Sequence, residues 1–344
     1  MDNIRLTQFS KSSGCGCKVA PAVLHGILSN TSSADNKNVL VGIESFDDAS
    51  VIALNDTDCI ITTNDFFTPI VDDAYDFGCI AAANAISDVY AMGGRPISAI
   101  SILGFPVEKI SADIVKKIME GAQDKCREAG ISISGGHSID APEPFFGLCV
   151  TGTITKNHIK RNNSAKEGDS IFLTKPIGTG IFSTALKRGL LDMADYPAFF
   201  KNASTLNSIG ANLGQLMYVN AMTDITGFGL LGHLVEICEG SGLSAEINIS
   251  KVPLLPNLKK YTDAFCVPDN TYRNWNAIEK KIQGITPESF ITFNDPQTNG
   301  GLLITVDTEH KDSFLLEMQK QPNFQVFEIG MMLPKNEFCV ELKA

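Results

Sequence analysis

The 344-residue chain is short of positive charge: 28 Lys and Arg stand against 39 Asp and Glu, a formal net charge of −11. Binding to a phosphate backbone needs a basic footprint, so this balance argues against nucleic acid as a partner. A nucleotide stays admissible, because divalent ions can bridge its phosphates to acidic side chains. No apolar run approaches the ~18 residues that span a bilayer. The opening stretch MDNIRLTQFSKSSGCGCK also lacks the apolar core of a signal peptide. GxxxxGK followed by Ser or Thr occurs nowhere, which removes the P-loop. Nine cysteines, an odd number scattered along the chain, fit a reducing cytosol better than a disulfide framework. The expectation is a cytoplasmic protein with no membrane partner.

Apolar residues make up 44% of the chain, enough for real cores, and the length suggests two domains. Residues 1–38 read as a mobile arm: SKSSGCGC cannot build a core, a short helix is expected in Val19–Leu28, and a polar linker follows. From Val39 the runs VLVGI, SVIAL and DCIITT suggest a strand meander. Phe77 to Met92 reads as a helix ended by Gly93-Gly94. Ser111 to Ala129 reads as an amphipathic helix with Ile114, Val115, Ile118, Met119, Ala122 and Cys126 on one face. With ISAISILG, ISIS and FFGLCVTGTI as strands, residues 39–157 are expected to form an α+β domain. Residues 158–344 are expected to form an α/β domain. There SIFLTK leads into GTGIFSTALKRG and AMTDI into GFGLLGHLVEICEG, both strand, glycine turn, helix.

Four groups of residues are candidates for chemistry, and His233 and Asp295–Gly301 read as structural. Cys15-Gly-Cys17-Lys18 places two thiols beside an ammonium group, which favours the nucleophilic thiolate. The bland alternative is an incidental tail, and a zinc site lacks a second Cys or His pair. Asp47-Asp48, Asp65 and Asp88 each stand at the end of an expected element, where they would converge on Mg²⁺ and substrate phosphates or serve singly as turn and cap residues. Gly135-Gly136-His137-Ser138 joins a strand to the next segment, and its backbone N–H groups suit phosphate, though Gly-Gly is common in ordinary turns. Asp224, before the glycine-rich entry to a helix, suits a metal–phosphate group or a plain helix cap. His233, on the apolar face of that helix, reads as a packing residue. Asp295-Pro-Gln-Thr-Asn-Gly-Gly301 is a turn by its chemistry and nothing more.

In this order, RLTQFS, GCGCK, DDASV, TTNDFF, NAISDVYAMGG, GGHSIDAPEP, TKPIGTG, MTDITGFGLLGHL and DPQTNGG resemble the selenophosphate synthetase (selenide, water dikinase) family, from about Ile4 to the last strand. The resemblance implies the two-domain architecture of the aminoimidazole ribonucleotide synthetase superfamily, with a flexible Gly/Cys arm. It also implies an enzyme that converts ATP, selenide and water to selenophosphate, AMP and orthophosphate, a selenium donor for selenocysteine and selenouridine synthesis. By matching motifs, Cys15 and Lys18 would be catalytic, Cys15 standing where some members carry selenocysteine. Asp48, Asp88 and Asp224 would hold Mg²⁺. Lys18, Ser45, Phe46, Asp47, Asp65, Asp88, Gly136, His137 and Ser138 would contact ATP. A homodimer pairing through its N-terminal sheets is implied as well. Asn299 departs from the family's usual Ser, which leaves the role of that side chain open. A selenium carrier using Cys15 and Cys17 would leave the aspartates idle, and a thiamine-phosphate kinase would leave GCGCK unexplained.

Overall fold

The structure, a computed structural model, describes residues 4–9, 26–27, 36–44 and 46–344. Cys15, Cys17, Lys18 and Ser45 lie outside the described residues. Two sheets organise the chain. The first runs β1-β2-β3-β6-β4-β5, with β1 Val39–Val41, β2 Ser50–Ala53, β3 Asp58–Phe67, β4 Arg95–Phe105, β5 Ile133–Asp140 and β6 Phe145–Thr155. All neighbours in it are antiparallel except β4 and β5. The meander expected from VLVGI, SVIAL and DCIITT is its β1-β2-β3 edge. The parallel exception follows from connectivity, since parallel strands need a crossover and helix α2 (Ala112–Glu128) supplies it.

Helix α1 (Ala74–Ala91) is buried from Phe77 to its end. An interior helix shows no face to water, and AAANAISDVYA is accordingly apolar apart from the stripe Asn84, Ser87 and Asp88. The Asp73 side chain caps it by accepting from the Asp76 N–H at 2.9 Å. Its close approach to α2 rests on two glycines. A Cβ on Gly78 would stand 1.9 Å from the Ile118 carbonyl oxygen, and one on Gly121 2.0 Å from that of Tyr75. In α2 the expected face holds: Val115, Ile118, Ala122 and Cys126 are buried, with Ile114 and Met119 packed at the margin. Ser111 takes the N-cap position without a side-chain bond.

The second sheet has the order β10-β13-β9-β12-β7-β11-β8. Wholly buried β7 (Ser170–Leu173) and β11 (Leu302–Val306) lie between β12 (Phe327–Leu333) and the edge strand β8 (Val219–Asp224). The remaining strands are β9 Ser244–Asn248, β10 Ile282–Gln283 and β13 Val340–Lys343. Helices α3 (Thr179–Lys187), α4 (Tyr196–Ser204) and α5 (Gly229–Ser241) follow the glycine turns and the polar stretch between them. The apolar core of the first sheet is continuous with α3 and α4, through Ile181, Phe182 and Phe199. The two sheets are thus joined by packing across α1. Within the stretch read as an arm, Ile4–Phe9 is docked: Leu6 is buried, Arg5 Nε meets Asp72 at 2.8 Å, and Arg5 Nη2 donates to the Leu186 carbonyl at 2.9 Å.

Two expectations about local structure are corrected. GGHSID is not a turn but the body of β5, an exposed edge strand paired with β4. Gly136 lies where the register slips, and a Cβ there would fall 2.1 Å from Ser101 Oγ. Its glycines serve a bulge in an extended strand. Asp65 is not at an element's end but inside β3, opposite Leu148.

Candidate active site

Three carboxylates meet where the two sheets join. Asp48 sits in the turn before β2, Asp88 on the last turn of α1, and Asp224 is the final residue of β8. One oxygen from each lies within 4.8 Å of the others. Asp88 and Asp224 are buried and Asp48 is half-buried, yet Asp48 Oδ2 is sealed from solvent with no hydrogen-bond donor among the described residues. Burial first, then the nearby Asp224 carboxylate, push the Asp48 carboxyl well above its ordinary range. The Thr223 hydroxyl works the other way, and Asp47 and Glu236 add to the upward push. Like charges held this close oppose joint ionisation. A hard divalent cation, which takes carboxylate oxygens, is what such a set accommodates.

Among the described residues, each carboxylate also accepts from a hydroxyl. Thr223 Oγ1 donates to Asp48 Oδ1 at 2.8 Å, Thr63 Oγ1 to Asp88 Oδ2 at 2.5 Å, and Ser87 Oγ to Asp224 Oδ2 at 2.5 Å. Thr63 and Asp65 lie two apart on β3, and period-two alternation turns both toward α1. Asp65 does not join the carboxylate cluster. Its Oδ2 accepts from Asn84 Nδ2 at 2.6 Å. Asp47 stays out as well: its Oδ1 accepts the Asn162 N–H at 2.8 Å, while Asn162 Nδ2 holds the Phe46 carbonyl at 2.9 Å. Phe46 has a positive φ of 52° and a largely exposed ring. His137 and Ser138 are exposed on β5.

The reading of Asp224 as a helix cap is corrected, since Phe228 takes the N-cap of α5. His233 is a packing residue: its Nε2 accepts the Thr226 N–H at 3.0 Å, and its ring lies 5.6 Å from that of Phe228.

DPQTNGG is much more than a turn. Asp295 Oδ2 accepts from Gly180 N–H at 3.0 Å, and Gln297 Oε1 accepts from Gly178 N–H at 2.9 Å and Thr179 N–H at 3.1 Å. The segment therefore satisfies the orphan donors at the start of α3. Asn299, in the left-handed region at φ 51°, ties its segment to α1 and to the end of α4. Its N–H donates to Asn84 Oδ1 at 2.7 Å, and its Nδ2 donates to the Ala203 and Thr205 carbonyls at 2.8 Å each. Lys175, buried, donates to the Thr205 and Asn299 carbonyls at 2.7 and 2.9 Å. Beyond it Gly300 and Gly301 pair with Ile225, extending the β8/β11 ladder past Asp224. Nothing in the spacing of these polar residues distinguishes them from turn formers; their role follows from which backbone groups they reach.

Known proteins can be set beside this geometry. Residues 46–154 match the family model of the AIR synthase related protein N-terminal domain, and residues 166–343 that of the C-terminal domain. A selenide, water dikinase from Pseudomonas putida is 48% identical over 341 residues, covering 98% of both chains. One from Haemophilus influenzae is 47% identical over 343 residues, covering 99% of both. Among solved structures, thiamine-monophosphate kinase from Stenotrophomonas maltophilia superposes with a TM-score of 0.66 at 19% identity, over 94% of this chain and 96% of that one. AaThiL complexed with AMPPCP and TMP gives 0.71 at 19% identity, over 94% and 93%. At that identity the superpositions speak for the fold alone, whereas the sequence relatives agree along nearly the whole length. This chain belongs to the selenide, water dikinase family of the AIR synthase related proteins.

Proposed function

We propose that the protein is an ATP-dependent phosphotransferase that makes selenophosphate from selenide and water, releasing AMP and orthophosphate. The observation that carries this reading is near-full-length agreement with selenide, water dikinases at about half identity. The geometry adds a place for the chemistry, since carboxylates from both halves of the molecule come together there.

Mg²⁺ is the cation assigned to this place, held by Asp48, Asp88 and Asp224. The fit rests on the buried, donorless Asp48 oxygen and on an all-oxygen set of hard ligands. When bound it supplies charge neutralisation for ATP phosphates that the aspartates would otherwise repel. The chain's own residues then hold the nucleotide. Asp65, braced by Asn84, and the Phe46-Asp47 turn, braced by Asn162, would be among its contacts. Gly136, His137 and Ser138 present backbone and side-chain groups from β5. Lys18 adds positive charge where negative charge builds up during transfer, and Ser45 belongs to the same contact set. Cys15 engages selenium as a thiolate, from an arm whose root at Ile4–Phe9 is bound to both halves of the molecule. Homodimerisation through the exposed face of the first sheet and a cytoplasmic location complete the proposal.

The test supplies ATP, Mg²⁺ and selenide anaerobically and follows products by phosphorus NMR. AMP with a selenium-bonded phosphorus signal supports the dikinase. ADP alone points to a simple kinase, and no turnover to a carrier. Cys15→Ser should abolish selenide-dependent AMP formation, because a hydroxyl is not ionised at neutral pH. It should leave nucleotide binding, measured by equilibrium dialysis, near the starting value. An active Cys15→Ser protein removes the thiolate from the mechanism.

A further inference from the structure

We infer that the hydroxyls of Thr63, Ser87 and Thr223 are positioning residues, each orienting one carboxylate of the cluster toward a divalent cation. The inference rests on the metal reading above and goes beyond it, because it assigns a role to three side chains outside the carboxylate set.

Among the described residues a hydroxyl serves each carboxylate, and two of these three bonds cross between the halves of the molecule. Ser87 on α1 serves Asp224 of the second sheet, while Thr223 on β8 serves Asp48 of the first. Thr63 on β3 serves Asp88 within the first half. All three donors are buried, Ser87 and Thr223 at 0% and 2% exposure.

The donor direction at Ser87 is fixed by its other neighbour. Asn207 Nδ2 lies 2.8 Å from both Ser87 Oγ and the Gly300 carbonyl. A carbonyl only accepts, so the amide group facing it is the NH₂, and Ser87 Oγ must accept from it. The single Ser87 proton is left for Asp224. Asn207 thus orders Ser87, and Ser87 orders Asp224.

Packing gives no reason for these hydroxyls. Ser87 lies on a helix that uses Ala81, Ala82, Ala83, Ala85 and Ala91 in equally buried positions. Thr63 and Thr223 lie in strands where Val is at least as good a former. What the hydroxyl adds is a bond to one carboxylate oxygen, which fixes the rotation of the group and hence where its second oxygen points. Hydrogen bonds to ligating carboxylates are worth about 10–100-fold in metal affinity where they have been removed.

The experiment measures binding without turnover. The full chain and its Thr63→Val, Ser87→Ala and Thr223→Val variants are titrated with Mn²⁺, and free Mn²⁺ is read by electron paramagnetic resonance. The expected result is binding weaker by about tenfold or more in each variant. Thr63→Ser and Thr223→Ser keep the hydroxyl and should bind within about twofold of the parent, which guards against a variant that simply misfolds. Unfolding midpoints in chelator separate the roles, since a merely structural hydroxyl would lower the midpoint and leave Mn²⁺ affinity unchanged. Equal affinity in the folded Val and Ala variants overturns the inference while leaving the metal reading in place. A parent protein that binds no Mn²⁺ overturns both.

Discussion

Asp48 is at odds with its surroundings, because its sealed Oδ2 and the neighbouring Asp224 both disfavour its charge. Replacing Asp48, Asp88 or Asp224 singly by Asn removes an anionic ligand and keeps the size. Each change should raise the Mg²⁺ needed for half-maximal ATP turnover by at least about tenfold. In chelator, Asp48→Asn should also raise the unfolding midpoint, since like-charge repulsion is relieved. An unchanged Mg²⁺ requirement in all three would remove the cation from this place. Lys175 is the complementary case. Burial, opposed by the attraction of Asp224, brings its ammonium down to about 7. An unfolded lysine keeps its proton to about 10.4. Between those values the unfolded state holds more protons, so stability should rise as pH goes from 7 to 9. Lys175→Met should remove that rise and cost about 1–3 kcal/mol at pH 7 by stranding the Asn299 carbonyl, while the Thr205 carbonyl keeps the Asn299 amide as donor. Urea unfolding at the two pH values decides it. The aspartates were legible in the sequence as carboxylates beside apolar runs. Thr63, Ser87 and Lys175 were not, because a single polar side chain inside a buried run carries no sign of what it faces.

Helix α1 carries the site as an element. Asn84, Ser87 and Asp88, spaced i, i+3 and i+4, form one polar stripe on a buried helix, and that stripe faces Asp65, Asp224 and Thr63 in turn. The helix itself could be read from its Ala and Ile content and the Gly93-Gly94 stop. The stripe's meaning could not, since its partners come from β3 and β8, 19 and 137 residues away in the chain for Asn84–Asp65 and Ser87–Asp224. GGHSID misled in the other direction: Gly-Gly has the chemistry of a turn, and only the crowding against Ser101 shows why an edge strand needs it. The position of α1 depends on Gly78. In an exposed helix Gly→Ala stabilises by about 1 kcal/mol. At Gly78 the added carbon would collide with the Ile118 carbonyl, so Gly78→Ala should instead destabilise by about 3 kcal/mol as α1 and α2 are forced apart. The opposite signs make urea denaturation a clean test, and a more stable Gly78→Ala protein would refute the packing argument.

At the scale of the molecule, the site exists only because two sheets dock across α1, and this leaves the other face of the first sheet to be accounted for. No helix among the described residues is long and apolar enough to cross a membrane. Phe66, Ile97, Ile100 and Ile139, from β3, β4 and β5, are each about half exposed. Large apolar side chains gathered on one sheet mark a surface that is covered in use. The family resemblance supplied the idea of a dimer, and alternation in TTNDFF and ISAISILG is too irregular to have supplied it alone: the register slip between Pro96 and Ser98 puts Ile97 out of step. Pairing of two copies through this face would also bring β5, with Gly136, His137 and Ser138, to the edge of the interface. The expected mass in solution is therefore twice the 37.1 kDa of one chain. Ile100→Asp places a charge where a second copy would desolvate it, at a cost of several kcal/mol that no partner offsets. Light scattering should then give the mass of one chain. Leu316→Asp is the control, since Leu316 is just as exposed but lies on the helix Lys311–Gln319 of the second half, and it should leave the dimer intact. A parent protein that scatters as a single chain, or an Ile100→Asp protein that stays paired, would place the contact elsewhere or nowhere.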